Sequence, residues 1–263
     1  LGTTVWTGSR LIVWGGREYL PGSSARVNTG GVYDAATDSW TQTSVLNAPS
    51  SRSSHTAVWT GSRMVIFGGT MPFNSASVNT GGRYDPVTDT WTPTRSTLPG
   101  PTPRSSHAAV WTGSEMIVYG GESQITGINR DGGRYDPVTD SWTPVTQTGA
   151  PGDQRRPIAV WTGEEMIVWN GAGVGARYNP ITDSWTNIDT GSSPSIGFLG
   201  RAVWTGESML LWGSNGGARY DPARDKWIPV SSLGAPSPRH GYTTVWTGSR
   251  MILWGGVSGS TNL

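Results

Sequence analysis

The sequence predicts an all-β chain, a β-propeller assembled from repeated four-stranded blades. Three observations carry this. The tripeptide Trp-Thr-Gly occurs six times, starting at Trp6, Trp59, Trp111, Trp161, Trp204 and Trp246, at spacings of 53, 52, 50, 43 and 42 residues. Each copy leads into a short apolar run closed by a small pair, as in Met64-Val65-Ile66-Phe67-Gly68-Gly69. Five copies then set a Tyr seven positions ahead of a Trp: Tyr33/Trp40, Tyr84/Trp91, Tyr135/Trp142, Tyr178/Trp185 and Tyr220/Trp227. A four-stranded unit repeating every 40 to 50 residues or so is the mark of a propeller blade, because one such sheet buries too little alone and must stack on its neighbours.

The elements follow in order. Strand A is the run into the tripeptide, such as Thr56-Ala57-Val58-Trp59. A tight Gly61-Ser62 turn comes next, and Gly at the first central position suits a type II′ hairpin. Strand B is the apolar run, β-branched and aromatic, as a fully buried strand should be. Strand C carries the Tyr. Asp85-Pro86-Val87-Thr88-Asp89 is a turn in which Asp bonds the local backbone and Pro presets φ. Strand D carries the second Trp, and a Pro- and Ser-rich connector leads onward. No stretch shows a helical apolar period.

We read a single domain over 1–263, with blades at about 1–48, 49–100, 101–150, 151–194, 195–235 and a partial 236–263. The sixth unit holds strands A and B only, so the reading is six blades with the last incomplete. Five blades plus an extra hairpin is the alternative, kept open because residues 243–250 repeat the text of 3–10. An unpaired strand B edge also predicts self-association through the incomplete blade.

Composition narrows the function. Charged residues make up 14% and the net charge is +1, which argues against a nucleic-acid surface. The chain has no Cys, so disulfide scaffolds, thiolate metal sites and thiol nucleophiles are excluded. No apolar run reaches the roughly 18 residues of a membrane span. The opening Leu1-Gly2-Thr3-Thr4 lacks the charged start and apolar stretch of a signal peptide. All 15 Trp fall inside the repeat and read as packing marks. Nine of the 12 Asp belong to the C–D turns and read as turn caps, without the alternating oxygen ligands of an EF-hand.

Arg and His form the one constellation with chemistry in it. Arg52, Arg104 and Arg239 stand seven residues before a repeat Trp, and His55, His107 and Tyr242 stand four before one. Two readings apply: these groups bond backbone carbonyls and connect blades, or they form a cationic ring for an anionic or sugar ligand. The third imidazole, His240, is out of register, so we read no metal set and no cofactor site. The B–C segments supply an asymmetry. They span 13, 11 and 10 residues in the first three units, then three and two. Three adjacent blades therefore carry a raised rim, with Tyr19, Phe73 and Arg130 as candidate binding residues beside Arg52, His55, Arg104, His107, Arg239 and Tyr242 at the channel mouth.

The Gly-Gly doublet after strand B, with the later Tyr and Trp, resembles the kelch repeat, and its wording resembles bacterial kelch-like proteins more than animal ones. The resemblance implies a propeller with strand A lining a central channel. It does not settle function, since such propellers include binding scaffolds and enzymes. The galactose-oxidase type needs a Tyr–Cys crosslink, for which no Cys exists. We expect a non-catalytic scaffold that binds a protein or glycan through the rim face, in an extracellular, cell-surface or periplasmic setting. The alternatives are a carbohydrate-active lyase or hydrolase at the channel mouth, and a structural or engineered repeat protein without a ligand.

Overall fold

The computed structural model describes residues 2–72, 75–171, 173–191, 196, 200–258 and 261–262. Strand is the only regular structure among them, and no helix there is long and apolar enough to cross a membrane. The chain divides into two compact units, Leu1–Val145 and Thr146–Leu263.

The first unit holds three four-stranded antiparallel sheets. Sheet 1 is β1 (Thr3–Trp6), β2 (Arg10–Leu20), β3 (Ser23–Asp34) and β4 (Ser39–Gln42), in that spatial order. Sheet 2 repeats the meander with β5 (Thr56–Trp59), β6 (Met64–Phe67), β7 (Gly81–Asp85) and β8 (Thr90–Pro93). Sheet 3 is β9 (Ala108–Trp111) and β10 (Met116–Tyr119), then, beyond a small hairpin of β11 (Glu122–Ser123) and β12 (Gly127–Ile128), β13 (Gly132–Asp136) and β14 (Ser141–Pro144).

The second unit continues the pattern. Sheet 4 is β15 (Ile158–Trp161), β16 (Met166–Trp169), β17 (Gly175–Asn179) and β18 (Ser184–Asn187). Sheet 5 is β19 (Arg201–Trp204), β20 (Met209–Gly213), β21 (Gly216–Asp221) and β22 (Lys226–Val230). Two hairpins follow: β23 (Thr243–Trp246) with β24 (Met251–Trp254), and β25 (Val257–Ser258) with β26 (Thr261–Asn262).

The recurring words have local causes. In Trp-Thr-Gly, the Thr60 hydroxyl accepts the Ser62 and Arg63 amides at 3.3 and 3.0 Å, and Gly61 sits at φ 98°, where a side chain would be strained. In the C–D turn, the Asp85 carboxylate accepts the Val87 amide at 2.9 Å, and Asn179 does the same for Ile181. The following Asp89 is left-handed at φ 51° and accepts the Tyr84 hydroxyl at 2.8 Å. Tyr and Trp seven apart are therefore direct cross-strand partners, Tyr84 opposite Trp91, with ring centres 5.0 Å apart.

Strand alternation then builds the cores. Met64 and Ile66 of β6 turn one way, onto Ile12 and Trp14 of sheet 1. Val65 and Phe67 turn the other way, onto Met116, Val118 and Trp142 of sheet 3. All four residues of β6 are buried, so strand B needs an unbroken apolar run rather than an alternating one. Sheets 4 and 5 close a third core through Ile167, Trp169, Met209, Leu211, Tyr220 and Trp227. Polar ties add to this: the Arg83 guanidinium donates to the Pro137 carbonyl at 2.8 Å, and Arg177 donates to the Pro222 carbonyl at 3.0 Å.

One expectation needs correction. The stretch from Arg17 to Thr29 was expected as a loop, yet it is mostly strand. Gly15 and Gly16, at φ 65° and 104°, kink β2 at a register shift between Trp14 and Gly16, and pairing then resumes from Gly16–Val27 to Leu20–Ser23.

Candidate functional site

Antiparallel topology puts every B–C segment and every D–A connector at the same end of its sheet. The Arg and His candidates lie on those connectors. Arg52 is 1% exposed and its guanidinium is fully engaged. It donates to the carbonyls of Ser50, Gly68 and Thr80 at 2.9, 2.9 and 2.7 Å and to the hydroxyls of Ser50 and Thr80. Burial pulls its pKa down to about 10. Arg104 repeats the pattern on Thr102, Gly120 and Asp131, with an ion pair to the Asp131 carboxylate at 2.7 Å. Among the described residues Arg239 meets only Ser237 and Gly255, and it stays partly exposed.

The histidines are buried as well, each 5% exposed. The His55 Nε2 and the Thr3 hydroxyl share a hydrogen bond of 2.8 Å, and the ring stands edge-on to Trp14 at 5.2 Å. His107 pairs with the Thr56 hydroxyl at 2.7 Å and stands edge-on to Phe67 at 5.7 Å. Each imidazole thus ties its own sheet to strand A of the preceding one. Desolvation, helped by the Arg52 charge, takes His55 down to about 3, and desolvation beside Arg104 takes His107 well below its usual range. Both rings are neutral at ordinary pH. Tyr242, 2% exposed, holds the equivalent place in the second unit and donates to the Trp212 carbonyl. Among the described residues no three His, Asp or Glu side chains gather as a metal site.

The rim is a hydrogen-bonded ribbon rather than three separate loops. Arg52 receives the Gly16 amide and gives its own amide to Val27, inside the first B–C segment. Ser53 exchanges amide bonds with Thr70 in the second segment, and Ser105 exchanges them with Glu122 in the third. Arg26 on β3 reaches across to the Ser53 hydroxyl at 2.9 Å and the Met71 carbonyl at 2.7 Å. The Ser77 amide donates to the Gln124 side-chain oxygen at 3.0 Å. Asn129 is buried and accepts the Thr126 hydroxyl at 2.7 Å.

What the ribbon offers to solvent is chemically mixed. Tyr19 is 79% exposed at the tip of the β2–β3 hairpin, and Ile125 is 82% exposed between β11 and β12. Arg17, Glu18, Gln124 and Arg130 are exposed around them. Phe73 lies outside the described residues. Arg26, Ser77, Gln124 and Ile125 escaped the sequence reading, whose only pointer was their place in long B–C segments. At the opposite end of sheets 2 and 3 lies a groove of about 870 Å³ lined by Arg63, Arg83, Trp111, Glu115 and Asp136. Its charges are internally matched, Arg63 to Asp85 at 3.7 Å and Glu115 to Arg134 at 3.9 Å.

Repeated four-stranded sheets with Gly-Gly after strand B and a Tyr–Trp pair across strands C and D define kelch blades. The family model described as the KLHDC2/KLHL20/DRC7 Kelch-repeats domain matches residues 2–217. The chain belongs to the kelch-repeat family, and its fold class is the kelch-type β-propeller. Kelch domains commonly serve as protein-binding scaffolds. A comparison with curated proteins finds no match.

Proposed function

We propose that this chain is a non-catalytic scaffold that binds a protein segment on the raised rim of its first unit. The observation that supports this most is the division of labour among its polar residues. Arg52, Arg104, His55 and His107 are enclosed and committed to holding sheets together. Tyr19 and Ile125 project from a cross-braced ribbon into solvent. Exposed aromatic and aliphatic anchors on a rigid polar support suit a protein interface, where a few such anchors carry most of the binding energy. The enzyme reading at the channel mouth has less support, because its imidazoles are buried and bonded to Thr hydroxyls. An extracytoplasmic setting belongs to the same proposal and rests on the low charge and absent Cys.

The test is selection of a displayed peptide library on the wild-type chain, with counter-selection on a Tyr19→Ser, Ile125→Ser variant. Peptides that bind only the wild type support the rim. Binders indifferent to both substitutions, or a glycan array that gives the only rim-dependent signal, would sink the protein-binding reading.

A further inference from the structure

The groove between sheets 2 and 3 lies wholly inside the first unit, at the end of the sheets away from the rim. Its volume of about 870 Å³ falls within the roughly 300–1,000 Å³ usual for small-molecule sites. Trp111 lines it while also packing on the core that the two sheets share. Arg63 lines it from the A–B turn of sheet 2, and Glu115 from the A–B turn of sheet 3. Arg83 donates to the Pro137 carbonyl at 2.8 Å, which ties the C–D turn of sheet 3 to sheet 2 along the groove. The position that carries Arg63 and Glu115 breaks the repeat. It is the fourth residue after each Trp of the tripeptide, and it reads Arg10, Arg63, Glu115, Glu165, Ser208 and Arg250 in chain order. Within the first unit, sheets 2 and 3 bring an arginine and a glutamate to this place, whereas sheets 1 and 2 bring two arginines.

Charge in the groove is largely balanced, but hydrogen-bonding capacity is left over. Arg63 stands 3.7 Å from Asp85, and Glu115 stands 3.9 Å from Arg134. Both distances are too long for a hydrogen bond. The groove therefore keeps a guanidinium able to donate and a carboxylate able to accept. Asp136 is committed to its own turn, where it accepts the Val138 amide at 2.7 Å and the Thr139 hydroxyl at 2.8 Å. The turns that form the walls have no amides to offer an extended peptide. Thr60 takes those of Ser62 and Arg63, Thr112 takes those of Ser114 and Glu115, and Asp136 takes those of Val138 and Thr139. A peptide that adds to a sheet edge needs such main-chain donors. Recognition here falls to side chains, and a ligand that suits them is uncharged, rich in hydroxyls and apolar on one face.

We propose that this groove binds a neutral oligosaccharide. Sugar hydroxyls donate to the Glu115 carboxylate and accept from the Arg63 guanidinium, and bonds to ionised partners are the stronger kind. The C–H face of a pyranose rests on the accessible part of Trp111, whose ring offers a large apolar surface. A sugar that carries its own charge upsets the balance of the walls and binds less well. The site shares no residue with the rim, so it holds or fails independently of the protein-binding reading.

The experiment is calorimetric titration of the full chain with neutral trisaccharides of glucose, mannose, xylose and N-acetylglucosamine, each taken to about 10 mM. At least one should bind. Arg63→Ala and Glu115→Ala, at partly exposed side chains, should each weaken that binding by roughly tenfold or more. The Tyr19→Ser, Ile125→Ser rim variant should bind the sugar as the wild type does. Circular dichroism checks the fold of each variant, and Glu115→Gln, which keeps the shape and removes the charge, replaces Glu115→Ala if that variant does not fold. Failure of all four sugars to bind overturns the proposal. So does binding that both groove substitutions leave unchanged, binding lost with the rim substitutions, or a preference for trigalacturonate over the neutral sugars.

Discussion

Burial of two imidazoles links the stability of the first unit to pH. His55 has a folded pKa of about 3 and His107 is also well below 6.5, so the unfolded chain binds protons that the folded chain refuses. The neutral-ring contribution is complete above about pH 6.5 and is lost as pH falls toward the folded values, at up to about 1.4 kcal/mol per pH unit per histidine. Urea midpoints should therefore fall between about pH 6.5 and 4.5, before most carboxylates protonate, and His107→Gln should flatten that slope. A midpoint constant over this window contradicts the assignment. Gln154 raises the converse case. It occupies the register of Arg52 and Arg104, yet it is 0% exposed and neither amide atom has a partner among the described residues. Unpaired buried polar atoms cost about 1–3 kcal/mol each, so Gln154→Met should raise the melting temperature. A lower melting temperature would mean that the amide is satisfied in solution.

The connector and the B–C segment act as one element, and the arginine between them sets its rigidity. Arg104→Leu strips donors from the Gly120, Asp131 and Thr102 carbonyls and strands the Asp131 carboxylate, an expected loss of about 3–5 kcal/mol. Arg239→Leu, at the same repeat position but half in solvent, should cost under about 1 kcal/mol. Equal losses in chemical denaturation would refute this account. Gly68→Ala should also destabilise strongly, because φ is 69° and a Cβ would meet His107 Cε1 at 2.6 Å and the Arg104 carbonyl at 2.7 Å. At this scale the sequence is readable where backbone chemistry repeats: Thr60, Gly61, Asp85 and Asp89 declare their turns. Spacing alone located Arg52 and His55 but could not say whether they faced solvent or carbonyls. That answer lies in Thr80 and Thr3, far away in sequence. Arg26 was invisible because its partners, Ser53 and Met71, come from other segments.

Within each unit, neighbouring sheets stabilise one another, as expected of a repeat protein. Hydrogen exchange should follow that rule. Amides of Ile66, Val118 and Val168, buried on both faces, should be strongly protected, and those of Val245 and Ile252 should exchange faster by orders of magnitude. Uniform protection would show that the last hairpin is held better than its exposure suggests. The glycine pairs that bracket each B–C segment carry a further consequence. Gly68 and Gly69 fix the angle at which the chain leaves sheet 2, and Gly81, whose absent Cβ would collide with the Ile66 carbonyl oxygen, fixes where it returns. With departure and return set by backbone geometry, and with Thr70, Met71, Ser77, Val78 and Thr80 braced by neighbouring segments, the part between Met71 and Ser77 can be exchanged as a cassette. A repeated text of this kind has room for recognition segments of different lengths, and foreign peptides grafted between Met71 and Ser77 should be displayed without disturbing the sheet beneath.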